Sequence, residues 1–244
     1  MEKTVIFHVP HDGSLFPREL LRSVCVPFGE FLGYHRAMRD TGARSFVPPD
    51  VPHRAVVFEV SRLLCDVERF TDGSEPMEAF GMGYCYEKVF GGAVIKRVDA
   101  GLRADTLRYY RAHHERLDSS VRGLRGRALL FDLHSFSELI LVKELVPDRG
   151  RLPDVCVGGD RFLPPEKRRL VLRAFQSAGF STAFNYPYSG SMVPNCVLSG
   201  EAEADLVSVM VEINKTVCLS PDGRPDPAAV GKIRSVLRHL AAEL

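Results

Sequence analysis

Three polar side chains stand where apolar runs end. His11 follows Thr4–Val9 in HVPHDGS, His134 follows the apolar run Ala128–Leu133 in FDLHS, and Glu212 lies inside VMVEINK. A buried glutamate is costly unless something pairs with it. Two imidazoles at the carboxyl ends of parallel strands can converge on one metal ion, with an open position for water. A metal lowers the pKa of that water, and a nearby glutamate can take its proton and hand it to a leaving amine. Glu212 suits that role. A further segment, SRLLCDVERF, carries Arg62 and Arg69 with Asp66 between them. One arginine there can face an oxyanion and the other can clamp a substrate carboxylate.

The elements that position these groups are legible from periodicity. Thr4–Val9, Ala55–Val60, Ala128–Leu133 and Val207–Ile213 read as strands apolar enough for the interior of a largely parallel sheet. Cys85–Ile95, Asp154–Gly158 and Ser181–Phe184 are weaker candidates. Helical spacing falls at Phe28–Phe46, Ala104–Leu124, Pro164–Ala178 and Pro227–Leu244. The alternation predicts a three-layer α/β/α sandwich with a mixed, mostly parallel central sheet, and one domain over residues 1–244. Pro/Gly-rich stretches at 71–83, 146–161 and 185–194 read as long loops around a site.

Composition narrows the classes. With 244 residues, 45% hydrophobic and a formal net charge of +1, the chain is neither disordered nor built to grip a phosphate backbone. No apolar run is long enough to span a membrane, and the N-terminal residues lack a signal peptide's order. The six cysteines are never closer than about twenty residues, so they read as reduced thiols packed in the core of a cytoplasmic protein. His8, His35, His53 and His239 take packing or surface roles on this reading.

In order along the chain, VPHDGS, RDTGA, SRLLCDVERF, FDLHSFSE, NYPYSGS and VEINKTVCL resemble the N-formylglutamate amidohydrolases, relatives of the zinc carboxypeptidases and aspartoacylases. The resemblance implies that the sandwich is of the zinc-peptidase type and that the chain carries out a zinc-dependent hydrolysis of the amide of an N-acyl amino acid, a small-molecule substrate; another divalent metal could replace zinc. By position, His11 and His134 match the imidazole ligands and Asp40 the carboxylate ligand, with Asp12 as the fallback. Glu212 matches the catalytic glutamate, Arg62 the arginine facing the oxyanion, and Arg69 the one binding the α-carboxylate. Asp66 would orient those side chains, while Tyr188, Ser189, Gly190 and Ser191 resemble a glycine-rich loop over the substrate. His114 falls where relatives carry a histidine, in a packing or supporting role. Relatives read D-x-N-R where this chain has Asp66-Val67-Glu68-Arg69. Glu68 thus places a negative charge in the substrate region, which leaves two alternatives open: a peptide or cell-wall amide as substrate, or an inactive ligand-binding protein.

Overall fold

The computed structural model describes residues 3–146 and 150–244, so part of the loop expected over 146–161 lies outside the described residues. Six strands form one sheet: β1 Lys3–Val9, β2 Arg54–Val57, β3 Arg127–Phe136, β4 Val155–Gly158, β5 Thr182–Phe184 and β6 Asp205–Asn214. Their order is β2-β1-β3-β6-β4-β5. Strands β2, β1, β3 and β6 pair in parallel, and β4 runs antiparallel to β6 but parallel to β5. The helices are α1 Arg18–Leu21, α2 Phe28–Met38, α3 Ala100–Val121, α4 Pro165–Ser177, α5 Asn195–Leu198, α6 Lys215–Cys218 and α7 Pro227–Glu243.

Alternation along each strand assigns the layers. Odd-numbered residues of β1, β3 and β6 (Phe7, Phe131, Val209 and their neighbours) pack with α4 and α7. Even-numbered Ile6, Leu130 and Leu206 pack with Leu117 and Val121 of α3 and Cys196 of α5. Both faces of the sheet are therefore covered, which is why its strands are largely apolar. This is the mixed, mostly parallel α/β arrangement expected. A second cluster, built from α1, α2 and residues 58–95, caps the end of the sheet where β1 and β3 finish.

Four sequence expectations need correction. The helix expected over Phe28–Phe46 ends at Met38: Arg39 is extended (φ −65, ψ 136), Gly42 is left-handed (φ 94), and the chain resumes as a 3-10 turn at Ala43–Phe46. The strand expected over Ala55–Val60 stops pairing regularly at Val57, although Phe58 N still donates to Val9 O (3.0 Å) and Val60 bridges Leu15. Cys85–Ile95 is no strand; Gly91 and Gly92, both at positive φ, break the extended backbone after a single Lys88–Val94 bridge. Cys25 is exposed, whereas the other five cysteines are buried.

Candidate active site

Strand parity builds the floor of the site. Asp132 and His134 lie two apart on β3 and so share a face; pairing sets His134 opposite Glu212 of β6 and His8 of β1 opposite Asp132. All four are buried. His11 lies just beyond β1, and a Cβ on Gly13 would meet the backbone of Phe58 and Glu59 at about 2.5 Å, so only glycine lets the chain turn here against residues 58–59. Asp40 arrives because α2 stops at Met38, and its N–H donates to His11 O (3.0 Å).

Around these groups the carboxylates have distinct partners. His11 Nε2 lies 2.9 Å from Asp66 Oδ1, and His134 Nε2 lies 3.1 Å from Asp132 Oδ1. The other nitrogens turn toward a single oxygen: Asp40 Oδ2 is 2.9 Å from His134 Nδ1 and 3.6 Å from His11 Nδ1. Arg62 bridges the two acids, donating to Asp40 Oδ1 (3.1 Å) and to Asp66 Oδ2 (3.0 Å). Tyr86 donates to Asp66 Oδ2 as well (2.8 Å). His11 Nδ1, Glu212 Oε2 and Arg69 Nε are buried without a hydrogen-bond partner.

Charge in the cluster is unbalanced. Burial and Arg62 press His11 toward neutrality, but Asp66 and Asp40 outweigh them and raise its pKa. His134 is raised well above its ordinary value, Glu68, Asp132 and Glu212 overcoming burial. Burial pushes the Glu212 carboxyl up to about 8, opposed by His134. Asp66 stays well below the usual carboxylate range: His11, Arg62 and Arg69 overcome its burial.

Among the described residues three groups have ligand atoms close enough to share a metal ion: His11, Glu68 and His134; His8, Glu68 and Asp132; and Asp40, His134 and Glu212. Glu68 Oε2 lies 3.3 Å from His134 Nε2 and 3.6 Å from His11 Nδ1, so it reaches the same imidazoles as Asp40. The orphaned His11 Nδ1 and Glu212 Oε2, with imidazole and carboxylate donors around them, fit a divalent ion.

The remaining sequence-selected residues fall around this centre. Asp12 is engaged by Arg39 Nε (2.8 Å) and by the N–H of Arg44 (2.9 Å), an anchor for the turn after Asp40. Arg69 Nε sits 3.7 Å from Asp66 Oδ2. His114 Nε2 lies 2.8 Å from Val67 O and holds the Asp66–Arg69 segment against α3. Tyr188 packs edge-on to Phe136, Ser189 is exposed, and Gly190 (φ 80) stands over β4, where its carbonyl leaves no room for a Cβ on Gly158. That loop is tied down: Ser191 Oγ pairs with Ser208 Oγ (2.7 Å), and the N–H of Met192 donates to Asp132 Oδ2 (3.0 Å).

Sequence reasoning passed over Asp132, His8, His113 and Tyr86. His8 Nδ1 lies 2.8 Å from Asp132 Oδ1, and its Nε2 lies 2.8 Å from His113 Nε2. Alternation within FDLHS already puts Asp132 on the face of His134; that His8 joins them follows from the β1–β3 register.

Residues 3–219 match the N-formylglutamate amidohydrolase family. Among solved structures, the fold is similar to that of N-formylglutamate amidohydrolase from Ralstonia eutropha JMP134. The two are 19% identical, the likeness covers 98% of this chain and 91% of that one, and the TM-score is 0.77. A gene product from Agrobacterium tumefaciens is similar at 18% identity, 98% and 89% coverage and a TM-score of 0.65. At these identities the likeness speaks to the fold alone. No curated protein matches the sequence.

Proposed function

The chain belongs to the N-formylglutamate amidohydrolase family, and on that premise we propose that it is a zinc-dependent amidohydrolase of N-acyl amino acids, N-formyl-L-glutamate foremost. The observation that carries the reading is the pair of imidazoles whose Nε2 atoms are each held by a separate carboxylate while their Nδ1 atoms face one oxygen of Asp40. Metal-ligating histidines are oriented in this way.

His11, His134 and Asp40 would hold the ion. Asp40 is preferred to Glu68 because Glu212 Oε1 lies 4.0 Å from His134 Nδ1, on the Asp40 side of that ring. A divalent ion there supplies a Lewis acid that acidifies water and polarises the scissile carbonyl. Glu212, with one buried oxygen free, takes the proton of the attacking water and delivers it to the leaving nitrogen. Burial raises its carboxyl to about 8, and a cation held beside it would favour the ionised form. Arg62, locked between Asp40 and Asp66, faces the developing oxyanion, and Arg69 receives the substrate carboxylate.

Formate release from N-formyl-L-glutamate by zinc-loaded protein, with a chelated blank, tests the reaction. Glu212→Gln is expected to lower turnover by about 10²–10⁴-fold while zinc stays bound; a variant that kept most of its activity would overturn the role of Glu212. Asp40→Asn is expected to weaken zinc binding, and zinc binding at wild-type strength in that variant would remove Asp40 from the ligand set.

A further inference from the structure

The segment VEINKTVCL supplies Glu212 to the site, and the proposed mechanism leaves its lysine unused. Lys215 is the first residue of α6, directly after β6. Among the described residues its ammonium donates to two main-chain carbonyls, Ala37 O (3.0 Å) and Arg39 O (2.7 Å). Those carbonyls stand where α2 gives out. In a continued helix Ala37 O would accept the N–H of Thr41, but that N–H donates to Arg39 O instead (2.8 Å). The last carbonyls of a helix need partners from elsewhere, and a cation is favoured at that end. The Lys215 ammonium meets both conditions, and it does so at the residue before Asp40.

The stretch that carries Asp40 is tied to each strand that supplies a site residue. The N–H of Asp40 donates to His11 O (3.0 Å), just beyond β1. Thr41 O accepts from Ser135 Oγ (3.1 Å), the neighbour of His134 on β3. Arg39 O accepts from Lys215, just past β6 and Glu212. Of the two side chains in this set, Ser135 holds the chain after Asp40 and Lys215 holds it before. Between them the Asp40 carboxylate meets His134 Nδ1 (2.9 Å) and Arg62 (3.1 Å). Arg62 orients the carboxylate, whereas Lys215 fixes the backbone that delivers it. A ligand carried on a loop needs such support, because a metal site must be held to within about 0.5 Å.

We propose that Lys215 is a positioning residue of the metal centre: by holding the end of α2 it sets the Asp40 carboxylate against the imidazoles of His11 and His134. The strand that carries the proposed base thereby also places the third ligand. The inference rests on the reading of Asp40 as a metal ligand.

Zinc affinity measured against a competing chelator is the first readout. Lys215→Met keeps the length of the stem and loses the donors, and it is expected to weaken zinc binding about 10–100-fold, the effect of removing an outer support of a ligand. In the Asp40→Asn background the same change is expected to weaken binding no further, because both act through one ligand. Lys215→Arg, which keeps a cationic donor, is expected to recover most of the affinity; arginine against glutamine at 215 makes the same comparison if the methionine variant does not fold. Hydrogen exchange of metal-free protein is the second readout. In Lys215→Met the N–H groups of Asp40, Thr41 and Ala43, bonded to His11 O, Arg39 O and Asp40 O, are expected to exchange faster while those of β3 keep their protection. The proposal is overturned if Lys215→Met binds zinc as wild type does, if its effect persists in full beside Asp40→Asn, if arginine at 215 is no better than methionine, or if exchange at those three groups is unchanged. Zinc binding at wild-type strength in Asp40→Asn would instead show that the ligand reading has failed, and faster exchange in Lys215→Met would leave the tether on Asp40 standing without it.

Discussion

Asp66 joins more of the site than any other side chain, and Asp66→Asn tests whether that junction is what organises it. Its carboxylate is fully buried. One oxygen meets His11 Nε2 (2.9 Å) and the N–H of Glu68 (3.1 Å); the other meets Arg62 (3.0 and 3.3 Å), Tyr86 (2.8 Å) and Arg69 (3.7 Å). Asparagine keeps the shape but removes the charge, leaving Arg69 without an anion and Arg62 with Asp40 alone. Breaking a buried pair from one side costs about 3–5 kcal/mol. At about 2–4 °C per kcal/mol for a chain of this size, the metal-free protein is expected to melt about 6–20 °C lower. Removing the carboxylate that orients His11 is expected to weaken zinc binding about 10–100-fold. The pH dependence has a definite sign. Because the folded carboxyl titrates well below its ordinary value, its contribution is present at neutral pH and is lost as pH falls through the folded value, so the deficit of the variant shrinks in acid. Thermal unfolding of chelated protein and zinc titration against a competing chelator measure both effects, with the exposed Asp72→Asn as control. A melting point shifted by no more than about 1 kcal/mol would produce, with zinc affinity unchanged, would refute the reasoning.

Two further perturbations probe the frame. Phe131 is wholly buried and stacks on Phe7 at 5.2 Å across the centre of the sheet, so Phe131→Ala is expected to cost about 3–5 kcal/mol by denaturant unfolding, and a loss below about 1 kcal/mol would contradict the packing described. Lys96 is wholly buried; among the described residues its ammonium reaches only Leu64 O (3.3 Å) and Cys85 Sγ (4.0 Å), and burial lowers its pKa from 10.5 to about 8. The unfolded chain therefore binds the proton more tightly, and the resulting penalty is complete below pH 8 and fades as pH rises toward 10.5. Lys96→Met is expected to raise stability at pH 7 by up to about 3 kcal/mol, with the gain narrowing in alkali; a net loss at pH 7 would show that the lysine contributes a specific interaction.

Much of the frame and several site residues were legible in the sequence because both follow local rules. Apolar runs bounded by polar residues located β1, β3 and β6, and period-two alternation places Asp132, His134 and Glu212 on definite strand faces whatever the neighbours are. The turn after β1 was marked by PHDGS, whose glycine is required by the close approach of residues 58–59. The stripe of α7 (Val230, Ile233, Leu237 and Leu240) is buried as its spacing foretold. Local rules failed where a distant partner decided the outcome. Helical spacing runs on past Met38, but the chain leaves the helix there, and Asp40 N–H and Asp12 find partners in His11 and in Arg39 and Arg44. Only tertiary structure decided which carboxylate faces which imidazole nitrogen, because Asp40, Asp66 and Glu68 come from loops whose positions depend on β1, β3 and α3 together. It also drew His8 and His113 into the cluster and set Glu68 against His11 and His134. Strand parity is a property of the chain itself; the lateral order of strands and the meeting of their loops are set by packing among segments distant in sequence, which no local pattern encodes.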